Sequence, residues 1–483
     1  MSVHIAGIGG VGMSALAQAL IDTGASVTGS DRLLDSGDET GTLACLKRQG
    51  VRLFPQDGSG ITPQTQRLVI STAIEDTNPE VVRANGLGIP VVHRAAELAA
   101  VLNGRRLIAV TGTCGKSTVT AMLGWLMEGA GLDPFVVNGA AVVGWDGGGS
   151  RIGSVRKGSG EWAVIEADES DKSLMVFAPE HAVITNASAD HFGMDETQDL
   201  FAAFKARVPG VVVDGREEVL KCESSKVLKC ESAKIQNIRL EGWNGYFTFE
   251  GVEYCVPMPG RHNVYNAYHA VRMARALGVD APLLAKTLRN FKGVERRLQY
   301  IGKCTGGNTW RTPKVIDDYA HNPEKLAAAW TTLADAFPQG FCAVWRPHGF
   351  APLRKMMDDL VEMFPRVCRP QDALLLLPVY DAGGTADRSV TSADLASRLE
   401  AKNVNVFLIE SLEKAEGAMR RVAALHVGAL VTFGARDPGL PRLAKRLAGA
   451  SWFWRWLVTR IVFGLLFLGL VCGIRFLWNL FIK

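Results

Sequence analysis

The stretch Val110-Thr111-Gly112-Thr113-Cys114-Gly115-Lys116-Ser117-Thr118 joins an apolar run, residues 107–110, directly to an amphipathic helical pattern, and its residue types suit phosphate binding. Glycines let consecutive backbone N–H groups converge on phosphate oxygens, and the helix start adds its positive dipole end. Lys116 reaches the outer phosphates and the Ser117 hydroxyl can ligate Mg²⁺. Gly112, Thr113, Gly115, Lys116, Ser117 and Thr118 are thus the candidate set for a nucleoside triphosphate. The usual spacing asks for a glycine where Val110 stands, so a plain Gly-rich strand-to-helix turn is the competing reading.

Glu166 ends another apolar run, 162–165, where a carboxylate can face the phosphate loop across a switch point of a parallel sheet and hold Mg²⁺. Asp190-His191 follows a further strand end, and an imidazole beside a triphosphate suits a metal ligand or polar orienter better than a base. Glu169, Asp171 and Asp190 could equally cap helices. Residues 259–267 open a helix in which asparagine amides could bond an adenine edge, although capping by Asn263 competes. Residues 291–297 place Arg296 and Arg297 after a glycine turn at a domain junction, where closure could bring one onto the transferring phosphate. Asp317, Asp318 and His321 follow a strand and precede a helix, a set better explained by a site than by a packed loop.

These residues need a scaffold of alternating strands and helices. Residues 3–8 read as a strand, Gly7-Ile8-Gly9-Gly10-Val11-Gly12 follows, and Met13, Leu16, Ala17, Leu20 and Ile21 recur at helical spacing. A strand ending at Asp31 comes next. This is a Rossmann-type opening, with Gly9, Gly10 and Gly12 on the phosphate side and Asp31 where a ribose contact is expected. An oxidoreductase built on that motif would leave the phosphate loop unexplained. A second α/β unit begins near Arg105 and contains a tandem duplication, 219–226 followed by 227–234, read as a surface insertion. A third carries apolar runs at 315–316, 342–345, 373–377, 406–409 and 429–433, which favours a mostly parallel sheet covered on both faces. The expected architecture is α/β in three domains plus a tail. Residues 1–103 form a Rossmann-like domain, 104–298 a central P-loop-type ATP-binding domain, 299–450 a second Rossmann-like domain and 451–483 an apolar C-terminal helix.

With 53 basic against 49 acidic residues over 483, the formal charge of +4 gives no basis for a nucleic-acid partner. The nine cysteines show no Cys-x-x-Cys pair and no zinc spacing, which indicates a reducing compartment. No signal-peptide pattern opens the chain, so the expected location is cytoplasmic. Residues 461–482 would be roughly 33 Å long as a helix, enough to cross a bilayer. Trp452, Trp454 and Trp456 with Arg455 and Arg460 form an aromatic and basic shoulder on the cytoplasmic side. Arg475 is costly near the membrane centre, so lying flat or docking into a partner competes with spanning.

An ordered set of motifs from residue 3 to about 445 resembles the Mur ligases, and the alanine-adding branch in particular. The set comprises Gly7-Ile-Gly-Gly-Val-Gly-Met-Ser14, Gly29-Ser-Asp31, Ser71-Thr-Ala-Ile74 with Asn78-Pro-Glu80, Gly112-Thr-Cys-Gly-Lys-Ser117 and Val137-Asn-Gly139. It continues with Glu166-Ala-Asp-Glu-Ser-Asp171, Thr185-Asn186 with Asp190-His191, Gly260-Arg-His-Asn263, Asp317-Asp-Tyr-Ala-His-Asn-Pro323 and Pro347-His348. The resemblance implies an ATP- and Mg²⁺-dependent amide ligase of three domains. The carboxylate of UDP-N-acetylmuramate would take the γ-phosphoryl group as an acyl phosphate, and the amine of an amino acid, L-alanine favoured, would displace phosphate. It also implies that Lys116 steadies the γ-phosphate, Ser117 and Glu166 hold one Mg²⁺ and His191 helps hold a second. His262, Asn263 and Asn266 would lie at the adenine, Arg297 at the phosphates, Asp317 at the ribose and His321 on the amino-acid side.

Four departures stand out. Gly349 lacks the guanidinium common after Pro347-His348, Ala320 and Asn322 replace a Gly and a second His, Cys114 stands where His is common, and 207–250 is shortened. The first two leave open a different amino acid or a peptide as acceptor. A non-catalytic, membrane-tethered paralogue binding nucleotide and UDP-sugar is the alternative from another class. Retention of Lys116, Ser117, Glu166 and His191 argues against it, because binding tolerates their loss better than phosphoryl transfer does.

Overall fold

Strands such as Arg106–Thr111 and Phe341–Trp345 have no polar alternation, and such strands persist only where both faces of a sheet are covered. The computed structural model describes residues 2–35, 41–187, 193–216, 234–304, 312–381, 387–423 and 427–449. It divides into two compact units, Met1–Glu295 and Arg296–Lys483.

The first unit holds two parallel sheets. One runs Arg52–Phe54, Ser26–Ser30, Ser2–Ala6, Arg67–Ile70, Val91–His93, the doubly wound order expected of the glycine-rich opening. Helix Val11–Asp22 follows its first strand. The other runs Val212–Asp214, His181–Ile184, Arg106–Thr111, Trp162–Glu166, Phe135–Val137, Val155–Arg156, parallel except for the last pair. Its register sets Val110 opposite Glu166 and Thr111 opposite Ile184, so three strands end flush at one edge. The chain leaves Arg106–Thr111 toward one side of the sheet and His181–Ile184 toward the other, which makes the gap between their C-terminal ends the switch point.

A small antiparallel sheet, Gln236–Glu241, Asn244–Phe249 and Val252–Val256, was not foreseen from the sequence. It is anchored by Phe247, stacked on Tyr254 at 4.9 Å, and by Phe247 and Phe249, which both meet Tyr268 edge-on. Tyr268 belongs to helix Arg261–Ala276, which packs on helix Lys116–Gly129. The duplication at 219–234 lies outside the described residues, Lys234 apart.

The second unit is one six-stranded sheet in the order Gln299–Lys303, Lys314–Asp318, Ala429–Phe433, Phe341–Trp345, Ala373–Leu376, Val406–Leu408. It is parallel except for its antiparallel first strand, and every apolar run expected to be a strand is one. The tail expected as a membrane helix, 451–483, lies outside the described residues. Among those described, no helix is long and apolar enough to cross a membrane.

Asp372 ties this unit together at the N-terminal ends of strands Phe341–Trp345 and Ala373–Leu376. Its fully buried carboxylate accepts from the Arg369 backbone and guanidinium, from Trp330 Nε1 at 3.2 Å and from Phe341 N at 3.3 Å. Replacing it with alanine would orphan several buried donors and a partly buried cation at once. Asp372→Ala is expected to cost about 3–5 kcal/mol, read as a large drop in the unfolding midpoint of the transition that includes this unit.

Candidate active site

The loop 112–115 leaves its strand in conformations that only glycine adopts easily, φ +128° at Gly112 and +85° at Gly115. Space is as limiting as backbone freedom. A Cβ on Gly112 would collide with the Thr185 hydroxyl, and one on Gly115 would lie 2.5 Å from Asn266 Oδ1. Helix Lys116–Gly129 begins at Gly115 with no side-chain cap, leaving its first N–H groups directed at the loop as an anion would require.

The loop is held from the neighbouring strand end. Asn186 Oδ1 accepts from Thr113 Oγ1 at 2.7 Å and from Cys114 N at 2.9 Å, while Asn186 Nδ2 donates to Cys114 O at 3.0 Å. Thr185 Oγ1 donates to the same carbonyl at 2.6 Å. Sequence reading found Thr185 and Asn186 as a motif but assigned them no work. Their position after strand His181–Ile184, across the switch point, was the available signal. Cys114 itself is exposed, and its backbone carries these contacts.

Lys116 Nζ donates to Gly112 O at 2.8 Å and pairs with Glu169 Oε2 at 2.7 Å. Glu169 therefore does not cap a helix, as the simpler expectation had it. Asp171 accepts from Ser173 N at the start of the 3-10 helix Ser173–Val176 and also pairs with Arg94 at 3.3 Å. Glu166 sits beside the loop at its strand end and accepts from Gly139 N at 2.7 Å through Oε2. Ser117 and Thr118 lie buried in the first turn of the helix. In the N-terminal sheet, Asp31 accepts from Gly9 N at 2.8 Å, which locks the glycine loop. Gly10 caps helix Val11–Asp22, and Arg94 lies over Gly12. Arg94, Gly12, Glu166 and Asp168 line one small pocket, so the glycine loop and the carboxylate loop share an opening.

Asp190 and His191 lie outside the described residues. His262 is exposed in the first turn of helix Arg261–Ala276. That helix is capped by Gly260, and Asn263 instead donates from Nδ2 to Pro259 O at 2.8 Å. Asn266 donates to Asn263 Oδ1 at 3.2 Å and abuts Gly115, so both amides are buried supports of the phosphate loop.

In the second unit, Arg296 and Arg297 differ. Arg296 binds Asp317 at 3.2 Å and the carbonyls of Ala435 and Gly434, whereas Arg297 is exposed with its guanidinium near Tyr319. Asp317, expected at a ribose, is fully buried and takes the Thr432 hydroxyl at 2.5 Å. Burial pushes its pKa up to about 6 against the pull of Arg296. Asp318 accepts from Leu298 N and Ala320 N, stapling the linker to the loop. His321 donates from Nδ1 to Tyr319 O at 3.0 Å and meets His348 edge-on at 4.9 Å. Burial, with His321 and Arg436 nearby, lowers the His348 pKa to about 4, so that ring is neutral near pH 7. Asn322 has a structural reason: it caps helix Pro323–Ala336 through Lys325 N. Gly349 has none, since a Cβ there would meet its nearest neighbour, Pro352, at an ordinary 3.4 Å.

Two outcomes follow from this geometry. Asn186→Ala removes the grip on Cys114, and MgATP affinity measured by calorimetry is expected to fall about tenfold or more with the fold retained. Folded Asp317 keeps its proton at a pH where the unfolded chain has lost it, so its contribution to stability falls as pH rises from about 4 to about 6. Against Asp317→Asn, whose amide does not titrate, the wild-type chain should gain up to about 3 kcal/mol as pH is lowered through that window, measured by denaturant unfolding at each pH.

Three family models match the chain in order: Mur ligase family, catalytic domain, over residues 2–106; Mur ligase middle domain over 110–215; and Mur ligase, glutamate ligase domain, over 296–436. A UDP-N-acetylmuramate–L-alanine ligase of Rhizobium etli is 33% identical over 429 residues, spanning 82% of this chain and 86% of its own. One of Agrobacterium fabrum is 33% identical over 452 residues, spanning 88% and 91%. The crystal structure of a UDP-N-acetylmuramate-alanine ligase from Thermotoga maritima shares the three-domain α/β fold, with a TM-score of 0.74 at 24% identity over 95% of this chain and all of that one. Three family models in order and one-third identity over most of the chain agree, and the chain belongs to the Mur ligase family.

Proposed function

We propose that this chain is an ATP-dependent ligase that joins L-alanine to the carboxylate of UDP-N-acetylmuramate, a step of peptidoglycan precursor synthesis. The observation that carries the reading is the phosphate loop itself, with its glycine conformations, its uncapped helix start and its ordered Lys116, in a chain one-third identical to ligases of that name.

The loop N–H groups and Lys116 bind and orient the triphosphate, and the UDP-sugar carboxylate attacks the γ-phosphorus to give an acyl phosphate as the bond to the β–γ bridging oxygen breaks and ADP leaves. The amine of alanine then displaces phosphate. Ser117 and Glu166 fit a hard cation, one hydroxyl and one carboxylate flanking a phosphate site, and would hold Mg²⁺; the resemblance to the family assigns His191 to a second ion. Bound there, the metal supplies charge neutralisation on the phosphoryl oxygens. The glycine loop held by Asp31 is assigned to the UDP-sugar, Arg297 to the phosphates and His321 to the amine side. Buried Asp317 is better read as the support that fixes Arg296 than as a ribose contact. The domain limits 1–103, 104–298 and 299–450 remain part of this proposal, and so does the tail 461–482 as a membrane anchor of a cytoplasmic enzyme, which stands on sequence alone.

Gly349 favours a second reading, a ligase of this family with another amine acceptor, because the guanidinium common in relatives is missing where a side chain would fit. Phosphate release by the full chain with ATP, Mg²⁺ and UDP-N-acetylmuramate, across a panel of amino acids and short peptides, decides between them. Release with L-alanine and a product of matching mass is expected. Release only with another acceptor replaces the first reading by the second. Lys116→Ala is expected to abolish release, by at least about a thousandfold, with an unchanged circular dichroism spectrum.

A further inference from the structure

We propose that Glu169 is the positioning residue that fixes Lys116 for phosphoryl transfer, a role that rests on the ATP-dependent reading above. The Glu169 carboxylate is buried, 2% exposed, and Oε2 takes the Lys116 ammonium at 2.7 Å while Oε1 is buried with no hydrogen-bond partner among the described residues. A half-satisfied buried carboxylate is unfavourable for folding alone. Its backbone is fixed on both sides: Asp168 Oδ1 accepts from Ser170 N, Lys172 N donates to Glu169 O, and Asp171 Oδ1 accepts from Ser173 N. The carbonyl of Gly112 takes a second ammonium hydrogen, leaving the third of the three for a phosphate oxygen. A flexible lysine stem is thereby held in one orientation before the reaction, which is where positioning gains rate.

The same carboxylate repels the triphosphate it helps to serve, so removing its charge should separate binding from turnover. In Glu169→Gln, which keeps shape and reach, MgATP affinity by calorimetry is expected to tighten about 3- to 10-fold while kcat for phosphate release falls about 10- to 100-fold. Glu169→Asp, which keeps the charge but draws it back from the ammonium, should lose kcat without the gain in affinity. Retention of kcat within twofold in Glu169→Gln, or weakened ATP binding in a variant with native circular dichroism, overturns the proposal. Should the wild-type chain bind ATP yet turn over no acceptor, the ligase reading fails, and equal ATP affinities of wild type and Glu169→Gln then overturn the Glu169 role independently.

Discussion

Asn186 grips the peptide at Cys114 from both sides, accepting its N–H and donating to its carbonyl, and Thr185 adds a second bond to that carbonyl. A loop that binds phosphate through backbone donors gains affinity only when those donors are fixed beforehand, because otherwise ordering them consumes the interaction. The grip is a product of topology. Strands Arg106–Thr111 and His181–Ile184 are neighbours in register, and the chain departs from them in opposite directions, so their following loops face each other. Asn266 closes the third side, pressed against Gly115 by its own bond to Asn263. Glycine at 112 and 115 follows from this crowding as much as from backbone conformation.

Charge within each unit is organised by burial. Lys116, Arg94 and Arg296 each meet a carboxylate that is largely removed from water, Glu169, Asp171 and Asp317 respectively. Such pairs add little net stability, but they hold long cationic side chains in one place. The price is visible in Asp317, whose pKa rises to about 6 in spite of the guanidinium beside it. His348 shows the opposite sign of the same effect, held neutral beside His321.

Much of this was legible in the sequence where the signal was local. Continuous apolar runs gave the parallel strands, and the glycine loops sat where strands hand over to helices. The small antiparallel sheet was hidden because its first strand, Gln236–Glu241, is mostly exposed and polar and follows directly on the duplication. Side-chain roles were less legible because they depend on partners far along the chain. Glu169 was as open to a helix cap as to a site, and its partner lies 53 residues away. Asn263 was open to an adenine contact or a cap; Gly260 opens the helix, and the Asn263 amide bonds Pro259 O. Asp317 and Asp318 read as members of a site; in the fold both are buried, Asp317 taking the Thr432 hydroxyl and Asp318 the Leu298 N–H.

The central claim is that the sugar carboxylate is activated by phosphoryl transfer at the Lys116 loop, and the fate of its oxygen tests this most directly. With UDP-N-acetylmuramate labelled with ¹⁸O in the carboxylate, the oxygen that attacks the γ-phosphorus leaves with phosphate when the amine displaces it. Mass spectrometry of the released phosphate should therefore find one carboxylate-derived oxygen per turnover, with the other retained in the new amide. Phosphate free of label would mean that ATP is split by water, and would contradict the account.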